Sequence, residues 1–382
     1  MKLHSRFQQF RLARPSQAGF TLVELMVGLA IGMLATLVVM QVFSVFEIQK
    51  RSTTGTADAQ TNGNIALYEV TRDLQLAGYG LVPEGKAGKV DTSLECPGVW
   101  DLTNASAVAA GASAVISPVA IADGGSGTGG DSITIHYGDT LQGGVPTPIK
   151  APPAGSDIIV DATVGCNAGD FALVMNWSGP GVCAMTKVAS IDILTKKITF
   201  IDSSAMTKGA AVSGARVACL GKWNTITYSV NPVNGNLLRG TEPIVSGIVN
   251  LQAQYGIADP LMPSTSPDFN KVVQWVNATG ATWGSPTVAD RNRIKAVRIA
   301  IVARNSNYEP NIVSSACTAA ASSPTGYIGV CSWDPLSAAP RDASPAPVID
   351  LHAVDPNFGH YRYKVFETII PLRNVIWAKG TL

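Results

Sequence analysis

The sequence predicts an α+β protein: a long N-terminal transmembrane helix packed on an antiparallel β-sheet head that carries a large β-rich insertion. Three observations predict it. Glu24 is the only ionisable side chain between Phe20 and Phe46, and no proline interrupts residues 16–82. Beyond residue 81, short runs rich in Val, Ile and Thr alternate with stretches rich in Gly, Pro and Ser. Such runs read as strands, and the stretches between them as loops.

The apolar segment comes first. A helix rises about 1.5 Å per residue, and roughly 20 apolar residues cross a bilayer core. The run 20–46 is long enough. Lys2, Arg6, Arg11 and Arg14 precede it with no acidic residue between them, which holds the leader on the cytoplasmic side. A charge inside a membrane helix costs on the order of 3 kcal/mol and usually marks function. Glu24 is therefore the first residue to explain. Gly28 and Gly32 form a small-xxx-small pair that lets helices approach closely.

A basic leader ending in Gly19, then Phe20-Thr21-Leu22-Val23-Glu24 and a long apolar helix, resembles the prepilin signature of type IV pilins and type II secretion pseudopilins. The resemblance implies a pilin-like fold. It also implies cleavage by a prepilin peptidase between Gly19 and Phe20, N-methylation of Phe20, and retention of the helix in the mature chain. Glu24 then becomes a registry residue for assembly, since a carboxylate in lipid needs a cation and the Phe20 amine can supply one. An ordinary secretory signal fits less well, because its apolar core runs only about 7–15 residues. The imitation of a cleavage site at Ala57-Asp58-Ala59 lies well beyond Phe46.

After Phe46 the polar stretch continues the helix imperfectly, with weak points expected at Gly55 and Asn62-Gly63-Asn64. Helical spacing returns with Ile65, Tyr68 or Leu67, Val70, Leu74 and Ala77, and stops at Gly78-Tyr79-Gly80. The run Asp73 to Gly80 resembles the helix end of the PilW-type subgroup of minor pilins. Between 81 and 220, Ala114–Ala122, Ser132–Tyr137, Asp157–Val164 and Phe171–Met175 read as strands. Ser190–Leu194 and Lys197–Ile201 read as a hairpin about Thr195-Lys196. From Trp223 onward, Thr225–Val230 and Asn236–Arg239 flank Asn234-Gly235, a strong hairpin signal. Ile244–Leu251 reads as a short helix leading into a strand at Gln252–Ile257. Ile294–Arg304 and Tyr361–Ile370 read as central strands. The PilW-type resemblance recurs in Leu238-Arg239-Gly240, in Val297 to Arg304, and in Phe366-Glu367-Thr368 with Pro371-Leu372-Arg373-Asn374. For Arg373-Asn374 a buried turn or sheet edge is the preferred role.

Composition bounds the chemistry. Charged residues make up 14% of the 382 residues, against about 25% in typical soluble domains. The formal net charge is +1 and turns slightly negative once the leader is removed. This gives no global case for nucleic-acid binding. The local cluster Arg291, Arg293, Lys295 and Arg298 reads as a solvated strand entry. All six cysteines follow the membrane helix, on the oxidising side, and none forms a C-x-x-C pair. Loop length alone pairs Cys317 with Cys331, Cys166 with Cys183 and Cys96 with Cys219.

No catalytic constellation emerges, no cofactor or metal is implied, and the chain reads as a non-enzyme. Gly125-x-Gly127-x-x-Gly130 precedes a strand where a dinucleotide fingerprint needs a helix. Gly80-x-x-x-x-Gly85-Lys86 has Ala87 where a P-loop needs Ser or Thr. His136, His352 and His360 lack a companion cluster. Asp334, Asp350 and Asp355 lie in Pro-rich loops where Asx turns account for them, with calcium as the lesser alternative.

The expected organisation is a leader at 1–19, a transmembrane helix at 20–46, its extramembrane continuation at 47–80, a β-rich insertion at 81–220 and a core sheet at 221–382. The resemblance implies a minor pilin acting in initiation and assembly of type IV pili and placed at the fibre tip. Alternatives are a J-type pseudopilin of type II secretion, or a membrane-anchored adhesin using the same export route. Expected partners are other minor pilins, the major pilin, the prepilin peptidase and the inner-membrane assembly platform. The expected location is the inner membrane, single-pass, with the head in the periplasm or on the surface within the pilus.

Overall fold

The computed structural model describes residues 19–81, 83–86, 89–92, 96, 99–103, 113–114, 116–125, 130–141, 144–176, 182–263, 266–319, 327–333, 346 and 349–377. One helix runs from Leu22 to Leu76. The chain divides into two compact units, residues up to Thr54 and residues from Gly55 onward. In the first unit the apolar residues from Leu22 to Ile48 are exposed throughout. This helix is long and apolar enough to cross a membrane, and exposed apolar surface on that scale is stable only in lipid or against other helices.

The second unit is built mainly on three sheets, antiparallel except where Val99–Asp101 runs parallel to Val182–Asp192 in the largest of them. In the four-stranded sheet the order is Val272–Val276, Ile248–Ala258, Ile294–Arg304 and Tyr363–Pro371. The Ile294–Arg304 strand is central, and Val297, Ile299, Ile301 and Ala303 put one face into the main core. Tyr363–Pro371 is an edge strand in this sheet rather than a central one. In the five-stranded sheet the order is Glu242–Ser246, Asn236–Arg239, Asn224–Asn231, Ser132–Tyr137 and Val119–Ala122. Two strands from the 81–220 stretch thus join strands from beyond residue 221. The Asn234-Gly235 hairpin forms as expected, with Asn231 opposite Asn236.

The third sheet has eight strands, all drawn from residues 99–221. Leu173, Met175, Met185 and Leu220 pack into the main core, whereas Val174, Val188, Ile198, Phe200 and Val217 form a second core. The hairpin Val182–Asp192 with Lys197–Phe200 closes through residues 193–196, and Lys196 adopts φ 53°. The Asp157 strand ends at Ile159, shorter than its β-rich sequence indicates.

The expected helix at Ile244–Leu251 is not present. Those residues belong to strands Glu242–Ser246 and Ile248–Ala258, and every residue of the second is buried. A fully buried strand shows no alternation, so a short apolar run cannot be told from a helix by period alone.

Two of the three expected disulfide pairings are also corrected. Cys96 bonds Cys183, and Cys166 bonds Cys219, in place of 166–183 and 96–219; Cys317 bonds Cys331. Strand adjacency decides it. Cys96 leads into Val99–Asp101, which lies parallel to the Cys183 strand with Val99 opposite Cys183. Cys166 leads into Phe171–Asn176, whose Ala172 faces Cys219. Loop length in the sequence carries none of this.

The basic cluster is not solvated. Arg291, Lys295 and Arg298 are buried. Arg291 donates to the carbonyls of Ile116 (2.7 Å) and Cys96 (2.9 Å). Arg298 lies between the Trp275 and Trp333 rings, 5.0 and 5.3 Å from their centroids, and donates to Gln254 Oε1. These cations serve as ties between segments, with carbonyls and ring faces in place of water.

Asp131 joins two sheets. Its carboxylate accepts from the backbone N–H of Ala253 (2.7 Å) and of Gly124 (3.1 Å), and its own N–H donates to Leu251 (2.7 Å). Burial pushes its carboxyl up to about 7, against the opposing pull of those two N–H donors, with the nearby Asp123 adding a little. The folded chain therefore keeps this proton to near neutrality, whereas the unfolded chain releases it near pH 4. Stability should fall as pH rises from about 4 to 7, by on the order of 3 kcal/mol from this group. In urea titrations across that range, Asp131→Asn should remove this part of the slope, whatever constant offset it adds. Equal slopes in wild type and variant would rule the assignment out.

Candidate functional site

The N-terminal segment is shaped by its own side chains. Helix Leu22–Leu76 starts directly after Thr21. Thr21 Oγ1 accepts from the N–H of Glu24 (3.2 Å), and Glu24 Oε2 accepts in return from the Thr21 N–H (3.1 Å) and hydroxyl (3.2 Å). This is a reciprocal capping box, which satisfies N–H groups at a helix start that have no partner within the helix. Thr-x-x-Glu immediately before an apolar run was a readable signal for it. Glu24 thus has a local structural role beside any role between subunits. Gly19 and Phe20 lie exposed just ahead of the helix.

The second part of the site is where the same helix packs into the head. Gly55, Ala59, Gly63, Ala66, Val70, Asp73 and Leu74 are its buried residues. Their spacing of three and four gives one stripe, small at its start and larger toward its end. Ile65 and Tyr68, expected on the packed face, are exposed instead, while Leu67 packs partly against the core. A Cβ at Gly63 would fall within the Phe366 ring, and one at Gly55 within the Asn305 amide. The expected weak points are thus positions of closest approach, and the helix runs unbroken through them.

Asp73 lies at the far end of this stripe, 2% exposed. Its Oδ2 accepts from the Tyr228 hydroxyl (2.7 Å) and from Arg239 Nε (3.0 Å), and Arg239 Nη2 also lies at 3.0 Å. Arg72 Nε reaches Oδ1 at 3.3 Å. Burial, reinforced by the hydrogen bond to Asp73, pushes the Tyr228 phenol well above its ordinary value. The arrangement surrounds the Asp73 carboxylate with donors from Tyr228, Arg239 and Arg72 and so fixes its position. Asn374 completes the anchorage. Its amide donates to the carbonyls of Gln75 (3.3 Å) and Ala77 (3.1 Å), both at the helix C-terminus, where carbonyls lack partners within the helix. Gly78, at φ 76°, then turns the chain away.

Other candidates from the sequence resolve into structural roles. Asp350 caps the short helix Leu351–Val354, and Asp355 pairs with Arg304 at 3.1 Å. His136 Nδ1 bonds the Ser117 carbonyl and its ring stacks on Trp223; His360 Nδ1 bonds the Glu309 carbonyl and its ring stacks on Tyr308. Asp334 and Gly127 lie outside the described residues.

Residues 226–374 match the family model described as Type IV Pilus-assembly protein W, and residues 14–40 match the prokaryotic N-terminal methylation motif. Over these two segments the chain is similar to PilW-type, pilin-like proteins. No curated protein matches it. The first match contains Tyr228, Arg239 and Asn374, and the second contains Gly19, Phe20 and Glu24. Asp73, which Tyr228 and Arg239 grip, lies between the two matched segments. The anchorage therefore joins the matched head segment to the helix that continues from the matched N-terminus. The matched domains belong to structural proteins of the pilus, and the chain carries a single apolar helix among its described residues that fits a membrane anchor.

The glycine contact generates a test. Gly63→Leu should lower head stability by about 2 kcal/mol, the usual range for overpacking a close contact. Phe366→Ala, which clears the space, should recover much of that loss in the double variant. Additive losses in thermal melts of the two single variants and the double would mean that the two residues do not meet.

Proposed function

We propose that this protein is a minor pilin that takes part in initiating and assembling type IV pili. The observation that carries the reading is one continuous helix, Leu22–Leu76, with Gly19, Phe20 and Glu24 at its start and a head gripping its other end through Asp73. Such a chain is held in the membrane before assembly and is handed to a fibre by its helix. A prepilin peptidase cuts between Gly19 and Phe20 and methylates the new amine. The head then lies in the periplasm, single-pass from the inner membrane, where it meets other minor pilins, the major pilin and the assembly platform. We place it at the fibre tip because the added eight-stranded sheet is bulk that a repeating position would have to accommodate in every subunit. Gly28 and Gly32 give neighbouring helices room to approach.

Two roles for Glu24 can be separated. Glutamine serves in a capping box as glutamate does, so Glu24→Gln keeps the cap and removes the charge. Glu24→Ala removes both. If pairing with the Phe20 amine of a neighbouring subunit sets registry, Glu24→Gln should reach normal membrane levels yet give few surface fibres. Wild-type fibre counts with Glu24→Gln, and a loss only with Glu24→Ala, would assign Glu24 to the cap alone.

Processing is tested separately. The mature chain should begin at N-methyl-Phe20 by N-terminal mass spectrometry, and Gly19→Val should accumulate the uncut precursor. A mature N-terminus at Gln60 would identify an ordinary secretory signal instead.

A further inference from the structure

The three disulfides differ in what surrounds them. Cys96 and Cys183 are 0% and 1% exposed and lie in the main core. Cys219 is 4% exposed, and Cys166 packs with it in the second core. Cys317 and Cys331 are both partly exposed and belong to neither core. Their bond closes a short pairing of Thr318–Ala319 with Tyr327–Ile328. Around this staple the chain covers the outer face of the four-stranded sheet, the face of Ile294–Arg304 turned away from the main core. Val330 packs there against Val249, Val302, Ile349 and Leu351, and its N–H donates to the Ser315 carbonyl (3.0 Å). Trp333 sets its ring 5.3 Å from the Arg298 guanidinium, and its backbone N–H donates to Glu367 Oε1 (2.6 Å). Trp333 holds this place at a cost. Its φ is 50°, a region that bulky residues rarely enter, and its indole N–H is buried with no acceptor among the described residues.

We propose that Cys317–Cys331 is the exchangeable disulfide of this protein, a redox staple through which a dithiol reductant sets how firmly residues 327–333 cover the outer face of the sheet. Exchange requires a thiolate to reach a sulfur, so access separates this bond from the two held in the cores. In the first step the incoming thiolate bonds to Cys331 Sγ, the bond between the two protein sulfurs breaks, and Cys317 leaves as a thiolate. The second thiol of the reductant then attacks its own sulfur in the mixed disulfide and releases Cys331. The dithiol is oxidised to a disulfide and the protein takes up the two electrons. The two protons of the dithiol end on Cys317 and Cys331. Cys331 Sγ lies 3.4 Å from the Ile328 carbonyl, a ready acceptor for the thiol so formed. With the staple open, the two local costs at Trp333 favour its release, and a segment held by few backbone bonds opens without unfolding the sheet beneath. An oxidising disulfide of the same chemical class reverses both steps.

The test uses the full-length oxidised protein in lipid nanodiscs, without denaturant. Dithiothreitol is added, free thiols are capped at intervals, and peptide mass spectrometry reads each cysteine. Cys317 and Cys331 should be capped at least about tenfold faster than the other four. Hydrogen exchange should then accelerate about tenfold or more in the peptide covering 327–333, while the peptide covering 295–303 is unchanged. The double variant Cys317→Ser with Cys331→Ser should show the fast exchange with no reductant present. If that variant does not fold, the selectively reduced wild type carries both readouts. Opening of Cys166–Cys219 or Cys96–Cys183 as fast as Cys317–Cys331 would overturn the proposal. So would unchanged exchange at 327–333 once Cys317 and Cys331 are reduced, because the bond would then control no cover. Accelerated exchange across 295–303 as well would also overturn it, since the bond would then hold the sheet itself. None of these readouts depends on pilus formation, so a failure here is distinct from a failure of the assembly reading.

Discussion

The architecture of the head depends on how closely the helix can approach it. Gly55, Ala59, Gly63 and Ala66 recur on one face of the helix and are buried. A glycine inside a helix costs about 1 kcal/mol relative to alanine. That cost is accepted at Gly63 because any Cβ would enter the Phe366 ring, and overpacking costs about 1–3 kcal/mol. The larger residues come next along the stripe. Val70 and Leu74, both fully buried, each contribute about 1.5–3 kcal/mol. The stripe therefore changes from close backbone contact to side-chain burial within a few turns of one helix.

Apolar packing does not by itself choose between neighbouring registers along the helix; Asp73 does. Burying an ionised carboxylate costs several kcal/mol unless donors surround it, and the donors here come from two separate strands, Tyr228 on one and Arg239 on the next. A one-turn slip would leave Asp73 buried without them. Arg239 is itself partly exposed, so the pair adds less to stability than to uniqueness of position. Asn374 acts in the same sense from the C-terminal side, since only the true helix end offers it the carbonyls of Gln75 and Ala77.

What could be read from the sequence follows from how local each signal is. The N-terminal helix, its stop at Gly78, the Asn234-Gly235 hairpin and the Ile294–Arg304 strand each rest on neighbouring residues, and all are present. The glycines of the helix were legible as residues but not as contacts, because Gly63 meets Phe366 only after the sheet has formed. The same holds for Cys96 and Cys183, which strand order brings together across 87 residues. The basic cluster misled for a related reason. Arg291, Lys295 and Arg298 resemble a solvated run until other segments cover them: the Ile116 and Cys96 carbonyls meet Arg291, the Phe269 ring meets Lys295, and the Trp275 and Trp333 rings meet Arg298. At the N-terminus the signal is local: Thr21-x-x-Glu24 spells a capping box as well as a charge in an apolar run.

The capping box changes what Glu24 can contribute between subunits. Its carboxylate already accepts from Thr21 twice, so the charge is partly satisfied within the chain itself. This lowers the penalty of a lone carboxylate in lipid without removing the charge. An incoming amine does not have to displace the cap entirely, because a carboxylate offers about four acceptor positions and Thr21 engages one oxygen. A glutamate at this position can thus hold the helix start in one conformation and still present its second oxygen to a cation. A glutamine can do only the first. The helix dipole already favours a carboxylate over a neutral cap in the first turn, and the proposed pairing with a neighbour's Phe20 amine would add a second reason for the charge.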